Sequence, residues 1–188
     1  MTEDSAKQRI LRAAEALFAE SGFEATPTSR IAERAGVPKG LVHYYFRRKS
    51  DLLAALVAEL PDARIEPAVV VVPGDLAGSL RGLVVELDRR FNRSLALSHL
   101  LWREADTHRA VRDALADRFQ QLVRQVQAVI VAATGGKIAA ADVDSASGLL
   151  ARALSHRHAT ARHNDDEEDP AQIEREVLFI AEALTRGQ

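Results

Sequence analysis

The feature that most constrains this chain is the spacing of its apolar residues, which is helical almost everywhere. In "SAKQRILRAAEALFAESG" the positions Ile10, Leu11, Ala14, Leu17 and Phe18 fall on one face of a 3.6-residue repeat. Ser5 with Gln8 is a capping-box pair at its start, and Gly22 stops it. The same periodicity returns in Leu76, Leu80, Leu83, Val84 and Leu87, predicting a helix over about 75–92. A helix over about 94–105 follows. A long one runs through Val111, Leu115, Phe119, Leu122, Val126 and Ile130, capped by Thr107 and ended by Gly135-Gly136. "DVDSASGLLARALSH" and "DPAQIEREVLFIAEALTRG" give the last two, the second with Asp169 as cap and Pro170 at the first position. About nine helices are expected, with no internal repeat. No strand finds a partner run, so the fold class is all-α.

One segment interrupts the pattern. Residues 61–74, "PDARIEPAVVVVPG", hold three evenly spaced prolines, which forbid a continuous helix. We read it as an extended connector between residues 1–60 and 61–188, each long enough for a separate module. There is no cysteine, hence no disulfide, thiolate metal site or cysteine nucleophile. The N-terminal "MTEDSAKQRI" lacks the apolar core of a signal peptide, and no apolar run approaches a membrane span, so a cytoplasmic protein without a membrane partner is expected.

Charge is distributed unevenly. The net charge of −2 argues by itself against a nucleic-acid partner. Yet from Thr26 to Ser50 six bases (Arg30, Arg34, Lys39, Arg47, Arg48, Lys49) face one acid (Glu33), a local +5. From His163 to Glu182 eight acids face Arg175 alone, so an acidic stretch hides a basic patch.

Within that patch lies "GVPKGLVHYYF", which contains both tyrosines of the chain. "TPTSRIAERAG" before it reads as a short helix, with Thr26 as cap, Pro27 at its first position and Gly36 just past its end. A further helix over about 39–45 follows, and "KSDLLAALVAEL" makes another. Two short helices joined through Ala35-Gly36-Val37 form a helix-turn-helix, whose second helix enters the major groove with its N-terminal residues leading. Lys39 and the bare backbone of Gly40 then stand at the groove. His43 and Tyr44 face phosphates and base edges, while Tyr45 and Phe46 turn inward or pack on the first helix. Lys49 sits at a helix N-terminus suited to phosphate.

From about Lys7 to Leu53, "ILRAAEALFAESGFEAT", "IAERAGVPKGLVHYYF" and "KSDLL" resemble the DNA-binding domain of TetR-type transcriptional regulators. The resemblance implies three N-terminal DNA-binding helices and a C-terminal helical domain for ligand binding and dimerisation. It implies a homodimer on a palindromic double-stranded DNA operator, a small-molecule effector, and a repressor relieved by that ligand. The expected DNA contacts are Thr26, Thr28, Ser29, Arg30, Lys39, Gly40, Leu41, His43, Tyr44, Arg48 and Lys49. Four positions depart from the family: an apolar residue is usual at Thr28, a small or hydroxylated one at Leu41, a tyrosine at His43 and a serine at Arg48. Leu41 and His43 bear on which operator is read. Arginine cannot accept the cap bond that serine accepts, a loss of about 1 kcal/mol unless Ser50 starts the helix.

Phe91, His99 and Trp102 can line an apolar pocket or simply pack in the core. Leu149, Leu150, Ala153 and Leu154, with Ile173, Val177, Ile180, Ala181 and Leu184, form stripes on the last two helices, expected to pair with their copies in a dimer, with the acidic loop 164–169 outside. His156 and His158 point apart on a helix, so these two, with His163, Asp165 and Asp166, are read as a polar helix end and not as a metal site. No nucleophile elbow or phosphate loop is present, so neither an enzyme nor a cofactor is expected. The alternative is a helical ligand-binding protein that has lost specific DNA binding.

Overall fold

The structure is a computed structural model and describes residues 5–60, 64–91, 95–160 and 171–186. Among the described residues there are ten helices and no strand, in two compact units. The first unit is Met1–Leu60 with Ala96–Leu115; the second is Pro61–Leu95 with Ala116–Gln188.

In the first unit α1 (Ala6–Ser21), α2 (Thr28–Ala35), α3 (Lys39–Tyr45) and α4 (Lys49–Glu59) follow one another. Ser5 accepts a hydrogen bond from the Gln8 amide at 3.3 Å, and Gly22 ends α1 at φ 83°, where a side chain would be strained. The core joins Ile10, Leu17 and Phe18 of α1 to Ile31, Val42, Leu52, Leu53 and Leu56. Leu97, Leu100 and Leu101 of α7 (Leu95–Ala105) complete it, with Val111 and Leu115 of α8 (Arg109–Thr134). Residues 96–115 therefore pack with the N-terminal helices, whereas a division at residue 61 puts them with the second module. Sequence order cannot reveal that a helix returns to an earlier core. Thr107 does not cap α8: its hydroxyl donates to the Glu104 carbonyl at 3.3 Å, and the helix starts two residues later.

The second unit contains α6 (Leu76–Phe91), most of α8, α9 (Ala140–Thr160) and α10 (Ala171–Thr185) around Leu80, Leu83, Leu87, Val126, Ile130, Leu150 and Leu154. The connector is not extended throughout, because Pro67–Val70 form a one-turn helix, α5, with proline at its start. It is held by its backbone. The Gln125 amide donates to the Ile65 carbonyl at 2.6 Å and accepts from the Ile65 N–H at 3.0 Å. Buried Ser79 accepts from the Val72 N–H at 2.8 Å and donates to the Asp75 carbonyl at 2.7 Å.

The dimer stripe is corrected here. Val177, Ile180, Ala181 and Leu184 are buried in the unit's own core, where α10 packs on α6 and α9. Ile173 packs against the same cluster, Leu150 and Leu154 are fully buried, and Ala153 is half-buried. Amphipathicity says that a helix needs an apolar partner but not which one, and here the subunit supplies it. Leu149 alone of the nine is exposed, at 56%. The outward faces instead carry Leu178 and Phe179 of α10, Phe179 at 71% exposure, and Val85 of α6. Asp169, Pro170, His163, Asp165, Asp166 and the acidic loop 164–169 lie outside the described residues.

Candidate nucleic-acid interface

The recognition geometry begins at Gly36. Its φ of 62° is left-handed, and its N–H closes α2 on the Ala32 and Glu33 carbonyls, turning the chain within three residues. Pro38 then opens α3 with its backbone already in a non-helical conformation (φ −58°, ψ 140°), so Lys39 and Gly40 lead the helix. Val42 is fully buried and Phe46 is 5% exposed, which fixes the inward face. The opposite face presents Lys39, Gly40, His43 and Tyr44, all exposed, with Tyr44 at 79% and Leu41 half-buried. Nothing lies within 4 Å of where a Cβ on Gly40 would stand, so this stretch of backbone is open.

Tyr45 departs from its inward assignment. It remains 40% exposed, its ring edge-on to Tyr44 at 5.2 Å and tilted against Phe46 at 6.4 Å. Tyr44 is thus buttressed by an aromatic chain that ends in the core.

α2 contributes less than the sequence suggests. Thr26 is buried, is not the cap and cannot meet DNA. Its hydroxyl lies 2.8 Å from the Gly22 carbonyl and 3.3 Å from that of Leu17, tying the loop to the end of α1. Pro27 precedes the helix, which starts at Thr28, half-buried, with Ser29 and Arg30 exposed. Arg30 donates to Ser21 at 3.2 Å and Arg34 pairs with Glu20 at 2.8 Å, so both brace α2 on α1.

The basic run resolves into three different roles. Arg47 is exposed and has no partner among the described residues. Arg48 is exposed and pairs with Asp51 at 3.4 Å, while the Asp51 carboxylate accepts the Arg48 backbone N–H at 3.0 Å. Asp51 thus supplies half of a capping box, and α4 starts at Lys49 without moving to Ser50. Lys49 is half-buried and donates to the Phe23 carbonyl at 2.6 Å and the Glu24 carbonyl at 3.2 Å, its ammonium 4.2 Å from the Phe23 ring centroid. Its ammonium is therefore partly seated on the protein, with two of its three donors engaged. Arg47 was absent from the predicted contacts; only its place between the buried Phe46 and the start of α4 marks it.

Residues 10–56 match the family described as bacterial regulatory proteins, tetR family. The N-terminal module thus resembles a TetR-family helix-turn-helix. The HTH-type transcriptional regulator AcrR of Shigella flexneri is 32% identical over 85 residues, covering 43% of this chain and 39% of that protein. The chain spans under half the length of the curated relatives it matches. Fold similarity extends further. A transcriptional regulator from Pseudomonas aeruginosa PAO1 aligns over 99% of this chain and 94% of its own at a TM-score of 0.72 and 18% identity. The multidrug binding protein EbrR, solved with proflavin, aligns over 94% and 99% at 0.63 and 23%. In the TetR-type module here, the open face of α3 carries the leading lysine, the bare glycine, the histidine and the tyrosine.

The pocket expected from Phe91, His99 and Trp102 is not assembled. Trp102 is 44% exposed, because the core side of α7 is taken by Leu97, Leu100 and Leu101. The side chains of Phe91 and His99 lie outside what is described. A cleft of about 470 Å³ occurs in the second unit instead, between the connector and α8, lined by Arg64, Ile65, Pro67, Gln121, Arg124 and Gln125. His158 is already engaged by polar neighbours: its Nε2 is 3.2 Å from an Asp88 carboxylate oxygen, its Nδ1 is 2.7 Å from the Leu154 carbonyl, and Arg157 bonds the same carboxylate.

Proposed function

We propose that the protein is a DNA-binding transcriptional regulator that acts as a homodimer and represses until a small molecule occupies its second unit. The observation that carries the reading is the two-sidedness of α3: Val42 and Phe46 anchor it, while Lys39, Gly40, His43 and Tyr44 form an open, basic, aromatic surface. Such a surface suits an N-terminus-first entry into the major groove, with Arg47 and Arg48 placed for flanking phosphates. One short helix reads few base pairs, so specific binding calls for two copies on a two-fold site. Leu149, Leu178 and Phe179 are the large apolar residues exposed among those described on the last two helices, and we assign the dimer contact to their faces.

The cleft along the connector has the volume of a small-molecule site. A ligand there lowers operator affinity only if it binds the DNA-free form better than the bound one. No described helix is long and apolar enough to cross a membrane. The test is selection of binding duplexes from a randomised pool by the purified protein. The enriched sites should be inverted repeats with half-sites about 34–36 Å apart. A pool that gains no common sequence would leave a helical protein without specific DNA binding.

A further inference from the structure

We propose that Leu41 reads a thymine: its side chain meets the C5-methyl group of one thymine in each half-site, and that contact sets the base preferred there; this rests on the proposed function. Leu41 stands in the first turn of α3, where its N–H donates to the Pro38 carbonyl at 2.9 Å and fixes the backbone. Val42 and Phe46 define the inward side of the helix. At about 100° per residue, Gly40 and Tyr44 point away from that side, with Leu41 on one shoulder of the outer face and His43 on the other. A long side chain on a helix leans toward the helix N-terminus, so Leu41 leans toward the end that enters the major groove first.

The side chain is not part of the core. Leu41 is half-buried, yet among the described residues the half-buried apolar side chains packed on the first unit's core are Val37, Ala55 and Ala114, and Leu41 is not one of them. Its neighbour toward the leading end is Gly40, and nothing lies within 4 Å of where a Gly40 Cβ would stand. A base edge can therefore approach Leu41 from that side without meeting a side chain at position 40. The chemistry of leucine then selects the contact. It neither donates nor accepts a hydrogen bond, so it gains nothing from a phosphate, an amino group or a carbonyl. Of the groups that base pairs present in the major groove, the thymine methyl is the apolar one. The other shoulder supplies the contrast: Lys39 and His43, four residues apart and both exposed, suit the phosphate strand.

The test scans a duplex enriched by the wild type from a randomised pool. Each symmetry-related pair of thymines is replaced in turn by deoxyuridine, which keeps the pairing and the O4 acceptor and removes the methyl alone. Affinities are read by fluorescence anisotropy for wild type and Leu41→Ala, with thermal melts confirming folded protein. One pair of thymines should be sensitive in the wild type, losing about fourfold per half-site and about fifteenfold for the two, as expected for one methyl returned to water at each. The same replacement should cost Leu41→Ala nothing, which is the coupling of a double-mutant cycle. Leu41→Ala should also bind the thymine duplex more weakly than the wild type does. An enriched site with no methyl-sensitive thymine overturns the inference. So does a sensitive pair whose loss is the same in Leu41→Ala, because another residue then reads the methyl. If Leu41→Ala does not fold, Leu41→Asn, close to leucine in shape but ending in an amide, takes its place under the same criteria. A wild type that enriches no common sequence would refute the proposed function, and the inference would fall with it.

Discussion

Tyr44 and Phe46 stand two residues apart and should fail in opposite ways when cut to alanine. An aromatic side chain hides about 150–250 Å² when fully buried, worth about 4–6 kcal/mol at about 25 cal/mol/Å². Phe46 is 5% exposed and realises almost all of it. The unfolded chain hides some of that area and alanine keeps the Cβ, so Phe46→Ala should cost about 3–5 kcal/mol. Tyr44 is 79% exposed and hides about a fifth of its surface. That is about 1 kcal/mol at most, and the better helix propensity of alanine returns a few tenths. Tyr44→Ala should therefore melt like wild type yet bind the enriched duplex about tenfold more weakly, the loss of one hydrogen bond to a charged group. Urea unfolding followed by the fluorescence of Trp102, the chain's one tryptophan and part of the same unit, measures the stability. Equal costs, or the larger cost at Tyr44, would refute the facing of α3.

Gly40→Ala should stabilise the first unit by about 0.5–1 kcal/mol in the same urea assay, since the added methyl meets nothing within 4 Å. It should nevertheless weaken DNA binding, because the bare backbone is what allows close approach. Phe179→Glu should give folded monomers by light scattering, whereas Val177→Glu, with a charge placed in the unit's own core, should lose helix content by circular dichroism. Burial raises the Asp88 pKa, but hydrogen bonds from His158 and Arg157 outweigh it and hold the carboxyl below its usual range. A depressed carboxylate contributes stability above its unfolded pKa of about 3.8 and loses it as pH falls through the lower folded value. Asp88→Asn should thus destabilise at pH 7, and the gap from wild type should close in melts below about pH 3.8.

Much of the fold was legible because it is written in local terms. The α3 limits, the Gly36 turn, the Ser5 cap and the Gly135-Gly136 stop each depend on one or two residues and their backbone preferences. What failed were statements about partners. Thr26 has the chemistry of a cap, but the Leu17 and Gly22 carbonyls compete for its hydroxyl. Nor does sequence show that Lys49 also donates to the Phe23 and Glu24 carbonyls. The stripe of α10 had the right period and the wrong neighbour, since α6 and α9 of the same subunit cover it. Leu178 and Phe179 were a readable signal: two apolar residues off the stripe imply a second apolar face. The return of residues 96–115 to the first core is a long-range contact with no local signature.

The most direct test of the account is the affinity of the wild-type protein for its pool-enriched duplex and for an unrelated duplex of equal length, measured across salt. A reading head built on the open face of α3 predicts that the enriched duplex binds about 10³-fold or more tightly at physiological salt. Both affinities should fall linearly in log salt as the phosphates shed their counterions. Equal affinity for the two duplexes at every salt concentration, or no binding to either, would contradict it.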